Sequence, residues 1–311
     1  MAVADHDVVV IGGGIAGLSA ALVARQIGLS TVVIDPLLGG GQLVNIDRIE
    51  NYPGLGAVKG FEVGPQLAGQ VMESGAAFDI TTVNGVTRGA DAFTLSLDHG
   101  GTVTARAVII AVGSQIRFAG LPGEEEYRGR GVSYCAVCDG PFFTGKSVVV
   151  AGGGDSAADE AVHLATLARQ VVLVHPGDEM HAMALGREHV AATRNVQRIP
   201  GARVIAILGG GGGVTGIRIQ EASGIKRDLP ADGVFLYTGL QPNTAFLRGT
   251  VAMDDQGHLA VDHALETDVP GIFAAGDIRQ GSARLLVAAA GDGASAAVHA
   301  AEWLRRGRPG T

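Results

Sequence analysis

The strongest constraint on this sequence is a glycine-rich turn that occurs twice, each time between a predicted strand and a predicted helix. The turn reads G-x-G-x-x-G at residues 12–17 and G-x-G-x-x-A at residues 152–157. A second apolar strand follows each helix. The polar residue that ends it, Asp35 or His175, lies 21 positions after the second glycine of the motif. This arrangement is typical of β-α-β units that bind a dinucleotide with its pyrophosphate at the helix N-terminus. The repeat therefore predicts two dinucleotide-binding domains.

Two further apolar runs indicate how these domains are arranged along the 311-residue chain. The strand predicted at residues 107–112 and a returning strand at residues 234–238 bracket the second glycine-rich unit. We therefore expect residues 114–240 to form a domain that is inserted into a discontinuous one, made of residues 1–113 and 241–311. The predicted fold class is α/β, with two Rossmann-like domains of three layers each.

Composition and charge limit the functional classes. Hydrophobic residues make up 47% of the chain and charged residues 17%, which excludes a disordered chain. The net charge is −8 and the basic residues form no stripe, so we expect no nucleic-acid partner. The uncharged run at residues 8–24 holds four glycines and is too short to span a membrane. With only two cysteines there is no secreted disulfide framework, and we expect a cytoplasmic protein.

The two cysteines, Cys135 and Cys138, form a C-x-x-C motif that Asp139 follows directly. Zinc needs three or four ligands, and no second cysteine pair or histidine cluster supplies them, so we expect no metal. A C-x-x-C pair can close a disulfide, and the pKa of its thiolate is commonly depressed. Asp139 could act as a general acid or base beside it, or could simply form the turn before Gly140. A purely structural role for the cysteine pair also stays open.

The residues after the second unit bear on the choice of dinucleotide. Binding a ribose 2′-phosphate favours an arginine near the end of the second strand, but no arginine occurs between His175 and Arg187. Asp178 and Glu179 would repel a phosphate and could accept hydrogen bonds from ribose hydroxyls instead. NADPH, NADH and a relic unit that binds nothing well are therefore all open at this stage.

The two turns and the sequence Cys-Ala-Val-Cys-Asp-Gly at residues 135–140 resemble the low-molecular-weight thioredoxin reductases over nearly the whole chain. Further segments are similar to motifs of that family, namely residues 40–43 with 50–54, residues 111–113 and residues 267–277. The resemblance implies FAD in the discontinuous domain, a homodimer, and a thioredoxin-like protein as partner.

The resemblance also assigns roles to individual residues. Cys138 would pass electrons from FAD to the disulfide, Cys135 would attack the protein substrate, and Asp139 would manage the proton. The candidate residues for FAD are Gly12, Gly14, Ala16, Gly17, Asp35, Gly41, Gln42, Leu43, Asn51, Val83, Gly113, Gly276, Asp277, Ile278, Arg284, Leu285 and Ala288. The candidates for NAD(P)H are Gly152, Gly154, Asp155, Ser156, Ala157 and His175.

Two departures from the family pattern affect these expectations. The family's NADPH signature reads His-Arg-Arg-x-x-x-Arg, and here its three arginines are replaced by Pro176, Gly177 and His181. A Tyr-Arg-Gln segment near the flavin becomes Ala-Arg-Leu at residues 283–285. NADPH, NADH or reduced ferredoxin could therefore supply electrons. Two alternatives to a disulfide reductase are an FAD- and oxygen-dependent oxidase of a small dithiol, and a flavin redox sensor without steady turnover.

Overall fold

The computed structural model describes residues 4–37 and 39–307. The chain divides into two compact units, one made of Met1–Gln115 with Gln241–Thr311 and the other of Ile116–Leu240. The second unit is thus an insertion within the sequence of the first. Among the described residues, no helix combines the length and the apolar character that a membrane crossing requires.

Strands and helices alternate in the pattern of an α/β protein. The strands are β1 (His6–Ile11), β2 (Thr31–Ile34), β3 (Ala77–Asp79), β4 (Val83–Arg88), β5 (Phe93–Leu97), β6 (Thr102–Ile110), β7 (Ser114–Ile116), β8 (Val132–Ser133), β9 (Ser147–Ala151), β10 (Gln170–Val174), β11 (Val196–Ile199), β12 (Ala202–Gly210), β13 (Gly213–Glu221), β14 (Lys226–Pro230), β15 (Gly233–Leu236), β16 (Leu240–Pro242) and β17 (Ile272–Ala274). The helices are α1 (Ile15–Ile27), α2 (Gly60–Glu73), α3 (Ala136–Asp139), α4 (Asp155–Ala165), α5 (Ala184–Ala192) and α6 (Leu286–Arg306). Short 3₁₀ helices occupy Gly41–Asn45, Gly140–Phe143 and Ala245–Leu247.

The first unit is built on a sheet with the order β3-β2-β1-β6-β5-β4. The strands β3, β2, β1 and β6 run parallel, whereas β5 and β4 are antiparallel additions. The C-terminal end of β6, from Val108 to Ile110, also pairs in parallel with β17. The central strand β1 is apolar from Val8 to Ile11, as expected for a parallel strand that is covered on both faces.

Side chains alternate between the two faces of β1. Val8 and Val10 pack into a core with the alanine-rich helices α1 and α6, and Val9 and Ile11 pack on the opposite face with residues of β4 and β5. All four side chains are essentially inaccessible to solvent. Burying them contributes the apolar free energy that holds the parallel strands in register, from Val8 opposite Thr31 to Ile11 opposite Ile34.

The second unit repeats this plan around a parallel sheet with the order β11-β10-β9-β15-β8. Helix α4 packs on one face through a core that includes Val148, Val150 and Leu164. An antiparallel sheet, β12-β13-β14, covers the other face through residues such as Ile217 and Ile219. The expected fold class, α/β with two Rossmann-like units, is confirmed.

Helices α1 and α6 approach each other closely because small residues line their contact. Gly293 on α6 lies against the backbone of α1, where an added methyl group would overlap the carbonyl oxygen of Ala16. Ala20 and Ala24 on α1, with Ala297 on α6, are fully buried in the same contact region. The first turn of α1 is thereby held against the last helix of the chain.

We predict that Gly293→Ala lowers the free energy of unfolding by about 1–3 kcal/mol, because the added methyl group forces the two helices apart. The matched control is Gly291→Ala on the same helix, where an added methyl group meets nothing within 4 Å. Replacing that exposed glycine should stabilise the protein by up to about 1 kcal/mol, since alanine has the higher helix propensity. Urea unfolding followed by circular dichroism measures both; equal effects would contradict the packing argument.

Candidate active site

The first glycine-rich turn leaves the start of α1 open to a ligand. Gly12 has φ +110° and lies so close to the Ala111 carbonyl that any side chain would collide with it. Helix α1 begins at Ile15, and Gly14, which precedes it, provides no side-chain cap. An added methyl group on Gly14 would meet nothing within 4 Å. The free backbone N–H groups of the first turn therefore face open space, the arrangement that binds a pyrophosphate.

Asp35 closes this turn from the end of β2. Its carboxylate accepts hydrogen bonds from the backbone N–H groups of Gly13, at 2.6 Å, and Leu37, at 2.7 Å. The sequence led us to expect ribose hydroxyls as its partners and gave no sign of this structural role. A carboxylate has about four acceptor positions, so capacity remains for a ribose.

Two more predicted segments lie beside the same turn. The N–H of Gly40 donates to the carbonyl of Gly13 at 3.0 Å, and a methyl group added to Gly41 would lie 3.1 Å from Cα of Gly14. The side-chain amide of Gln42 donates to the carbonyl of Ser114 at 2.7 Å, directly after Gly113. The segments around residues 12–14, 40–42 and 111–114 thus form one cluster.

The fourth segment, Gly276 and Asp277, reaches the cluster through the first turn of α1. A methyl group added to Gly276 would lie 3.1 Å from Cβ of Ala16. The Gly276 N–H donates to the carboxylate of Asp292 at 3.1 Å, and Asp292 also pairs with the guanidinium of Arg279. Burial raises the pKa of Asp277 above its ordinary value. Asp292 is a supporting residue that the sequence did not reveal, because it lies 16 positions further along the chain.

The remaining residues predicted for the first unit are more dispersed. Leu43, Val83 and Ile278 are buried in the two cores, and Asn51 is exposed. Arg284 has φ +55° and lies 3.4 Å from the ring of His258. Gly17 fits tightly against the Gly12 carbonyl, Leu285 precedes α6, and Ala288 lies in its first turn.

The two cysteines are joined in a disulfide at the start of the short helix α3. Cys135 is the residue that caps this helix, and its Sγ accepts a hydrogen bond from the Cys138 N–H at 3.1 Å. Cys138 is the more exposed of the two. No group of three or more His, Cys, Asp or Glu side chains in the described part of the chain could hold a metal ion.

Ser133 holds Asp139 beside the disulfide. The buried hydroxyl of Ser133 donates to the Asp139 carboxylate at 2.6 Å and accepts from the Cys135 N–H at 3.1 Å. One hydroxyl therefore fixes both the first cysteine and the carboxylate. The sequence indicated Asp139 but not Ser133, because a serine two residues before a C-x-x-C motif is unremarkable.

Tyr237 supports the same helix from the end of β15. Its phenolic oxygen accepts a hydrogen bond from the Ala136 N–H at 3.0 Å, and its hydroxyl hydrogen-bonds the buried carboxylate of Glu160 on α4. Burial, the first cause, and this carboxylate raise the pKa of Tyr237 well above its ordinary range, so the phenol stays protonated. Sequence reasoning missed both residues, which lie far from the cysteines along the chain.

The second glycine-rich turn has the geometry of the first. Gly152 has φ +152° and packs against the carbonyl of Tyr237, while Gly154 precedes α4 with open space around it. Asp155, which begins α4, accepts a hydrogen bond from the Met183 N–H at 2.7 Å. Ser156 is exposed in the first turn and Ala157 is buried beneath it.

A cavity of about 650 Å³ opens where β10 ends, next to the buried His175. Arg187 from α5 and Arg198 from β11 stand in its wall together with Asp178 and Glu179. The sequence suggested that no arginine serves this position. The fold brings two there, from 12 and 23 residues beyond His175, where sequence spacing gives no signal.

These features define a class of protein: a redox-active cysteine pair in one of two units that each carry a dinucleotide-type glycine turn. The sequence matches the family described as pyridine nucleotide-disulphide oxidoreductase over residues 6–293. The chain belongs to this family.

Individual relatives cover nearly the whole chain. A thioredoxin reductase of Listeria monocytogenes is 38% identical over 96% of this chain and 94% of its own length. One of Bacillus subtilis is 37% identical over 94% of this chain and 92% of its own. The crystal structure of a thioredoxin reductase of Lactococcus lactis has a TM-score of 0.95 at 33% identity, covering 97% of this chain and all of that one. The resemblance to thioredoxin reductases is thus confirmed.

We predict that Tyr237→Phe destabilises the protein by about 1–3 kcal/mol, because Ala136 loses its acceptor and the buried Glu160 loses a donor. The control is Tyr52→Phe, which removes a phenol that makes no hydrogen bond within the described ranges, and we expect a change below about 0.5 kcal/mol. Thermal unfolding measures both variants. Equal midpoints for Tyr237→Phe and the parent protein would show that the bridge contributes nothing.

Proposed function

We propose that this protein is a flavin-dependent thioredoxin reductase, which passes two electrons through Cys135 and Cys138 to the disulfide of a thioredoxin. The proposal rests mainly on the disulfide at the start of α3, beside which Ser133 holds the Asp139 carboxylate. The family and the names of its relatives support the same reaction. They favour it over an oxygen-dependent dithiol oxidase or a flavin sensor.

The cluster in the first unit fits FAD. The open N–H groups at the start of α1, the close approach of Gly12 and Gly41, and the spare acceptor capacity of Asp35 are what a pyrophosphate and a ribose require. We assign the pyrophosphate of FAD to residues 12–17. We assign a second region of contact with FAD to Gly276 and Asp277. When bound, FAD supplies a two-electron store between a nicotinamide donor and the disulfide.

The cysteines carry out thiol–disulfide exchange once they have gained two electrons and two protons. The Cys135 thiolate attacks the partner's disulfide, a mixed disulfide forms, and the first partner sulfur leaves as a thiolate. Cys138 then attacks Cys135, which restores the internal disulfide and releases the second partner sulfur. Asp139 is placed to take the protons from the attacking cysteine thiols and to give them to the leaving thiolates.

The second unit is assigned to the nicotinamide donor. Its glycine turn and the open first turn of α4 are suited to a second pyrophosphate. We also propose a homodimer in the cytoplasm, which the resemblance to bacterial thioredoxin reductases supports.

We predict that Cys138→Ser reduces thioredoxin turnover to background, because the internal disulfide can no longer form. The flavin spectrum and the anaerobic bleaching of bound FAD by NADPH or NADH should stay at the parent level, since no residue of the first unit is changed. Stopped-flow absorbance and an insulin-coupled thioredoxin assay provide the two readouts. Full thioredoxin turnover in the variant would overturn the proposed mechanism.

A further inference from the structure

The cavity beside His175 lies where a parallel sheet binds ligands. It is bounded by the ends of β10 and β11 and by one side of α5, and its wall includes Met180, Ala184 and Pro200. Ligands of doubly wound folds lie in the crevice outside the carboxyl ends of the strands. At about 650 Å³ the cavity is within the range that holds a nucleotide-sized ligand.

The cavity adjoins the second glycine turn. A methyl group added to Gly153 would lie 3.2 Å from Cβ of His175, and the Gly153 carbonyl accepts from the Ala182 N–H at 3.1 Å. A dinucleotide with its pyrophosphate at the start of α4 therefore has its adenosine ribose near the end of β10. The cavity is the space that faces this ribose.

Two guanidinium groups in the cavity wall are available to an anion. Arg198 makes no hydrogen bond or ion pair with any residue in the described ranges. Arg187 donates from Nη1 to the Ala182 carbonyl at 2.7 Å, which fixes its side chain and leaves its other N–H groups free. A fixed guanidinium with unused donors is well suited to a phosphate, which it can bind with two parallel hydrogen bonds.

The other titratable groups around the cavity determine whether its charge favours an anion. Burial, with smaller contributions from Arg198 and His181, lowers the pKa of His175, so its ring is neutral near pH 7. The two arginines are therefore the cations in the wall. Asp178, Glu179 and Glu188 oppose them, but all three are exposed and none pairs with either arginine among the described residues. Water screens exposed charges, and a direct bidentate contact outweighs such screened repulsion.

We propose that Arg187 and Arg198 bind the ribose 2′-phosphate of NADPH and make this dinucleotide the preferred electron donor. The inference rests on the proposed assignment of the second unit to a nicotinamide nucleotide. The selectivity expected from Asp178 and Glu179 alone, in favour of NADH, is thereby reversed by residues of α5 and β11.

The test is calorimetric titration of the FAD-loaded full chain with adenosine 2′,5′-bisphosphate and with adenosine 5′-monophosphate. We expect the bisphosphate to bind at least about tenfold more tightly. Arg198→Ala should weaken bisphosphate binding by about 10- to 100-fold and leave monophosphate binding unchanged. Arg198→Lys should fall between the two, because it keeps the charge but loses the planar pair of donors.

Arg194→Ala is the matched control. Arg194 is an exposed arginine just before β11, at the opposite end of that strand from Arg198 and outside the cavity wall. Its replacement should change neither affinity. Thermal unfolding of each variant separates a loss of binding from a loss of folding, and Arg187→Ala supplies a second variant from a different element.

Steady-state kinetics gives an independent readout. Arg198→Ala should raise KM for NADPH by about 10- to 100-fold, while KM for NADH and kcat with either donor stay at the parent values. If the parent protein binds the bisphosphate no more tightly than the monophosphate, or binds neither, the inference is wrong. Normal bisphosphate selectivity without thioredoxin reduction would instead contradict the proposed function alone.

Discussion

The close approach of backbone segments around the first turn of α1 is the constraint on which the first unit depends. Gly12 lies directly against the carbonyl of Ala111, and Gly276 lies against Ala16. Gly293 allows α6 to pack closely against the same turn of α1. A side chain at Gly12 or Gly293 would collide with the facing backbone, and one at Gly276 would press against Cβ of Ala16. The contacts place the free N–H groups of α1 at the junction of four loops, so this cluster is a product of packing and not of any one motif.

Sequence reasoning succeeded where the determinants are local. The strand, the glycine turn and the helix of each unit follow one another within about 30 residues, so both turns and the presence of a helix after each could be predicted. It failed where the supporting side chain belongs to no motif. Asp292, Ser133 and Tyr237 were missed because only the folded chain shows that they support Gly276, Asp139 and Ala136.

The arginine signature of the family is a second case in which the sequence pattern alone was not enough to describe a site. The loss at residues 176, 177 and 181 could be seen in the sequence, and it implied an acidic ribose site. The parallel pairing of β10 with β11 brings Arg198 to the same cavity, and α5 brings Arg187. A local motif can thus be lost while its charge is supplied by neighbouring elements, and a linear comparison of motifs does not detect this.

Tyr237 belongs to two parts of the second unit at once. Its carbonyl lies against Gly152 of the glycine turn, and its phenol holds the helix that carries the disulfide. Arg187 and Arg198 in the cavity wall do not connect the glycine turn with the redox helix in this way. The proposed preference for an electron donor and the position of the disulfide therefore differ in how freely they can change during evolution. Substitutions on α5 and β11 leave the redox helix in place, whereas an exchange at Tyr237 that removes the phenol also removes the hydrogen bond that holds this helix.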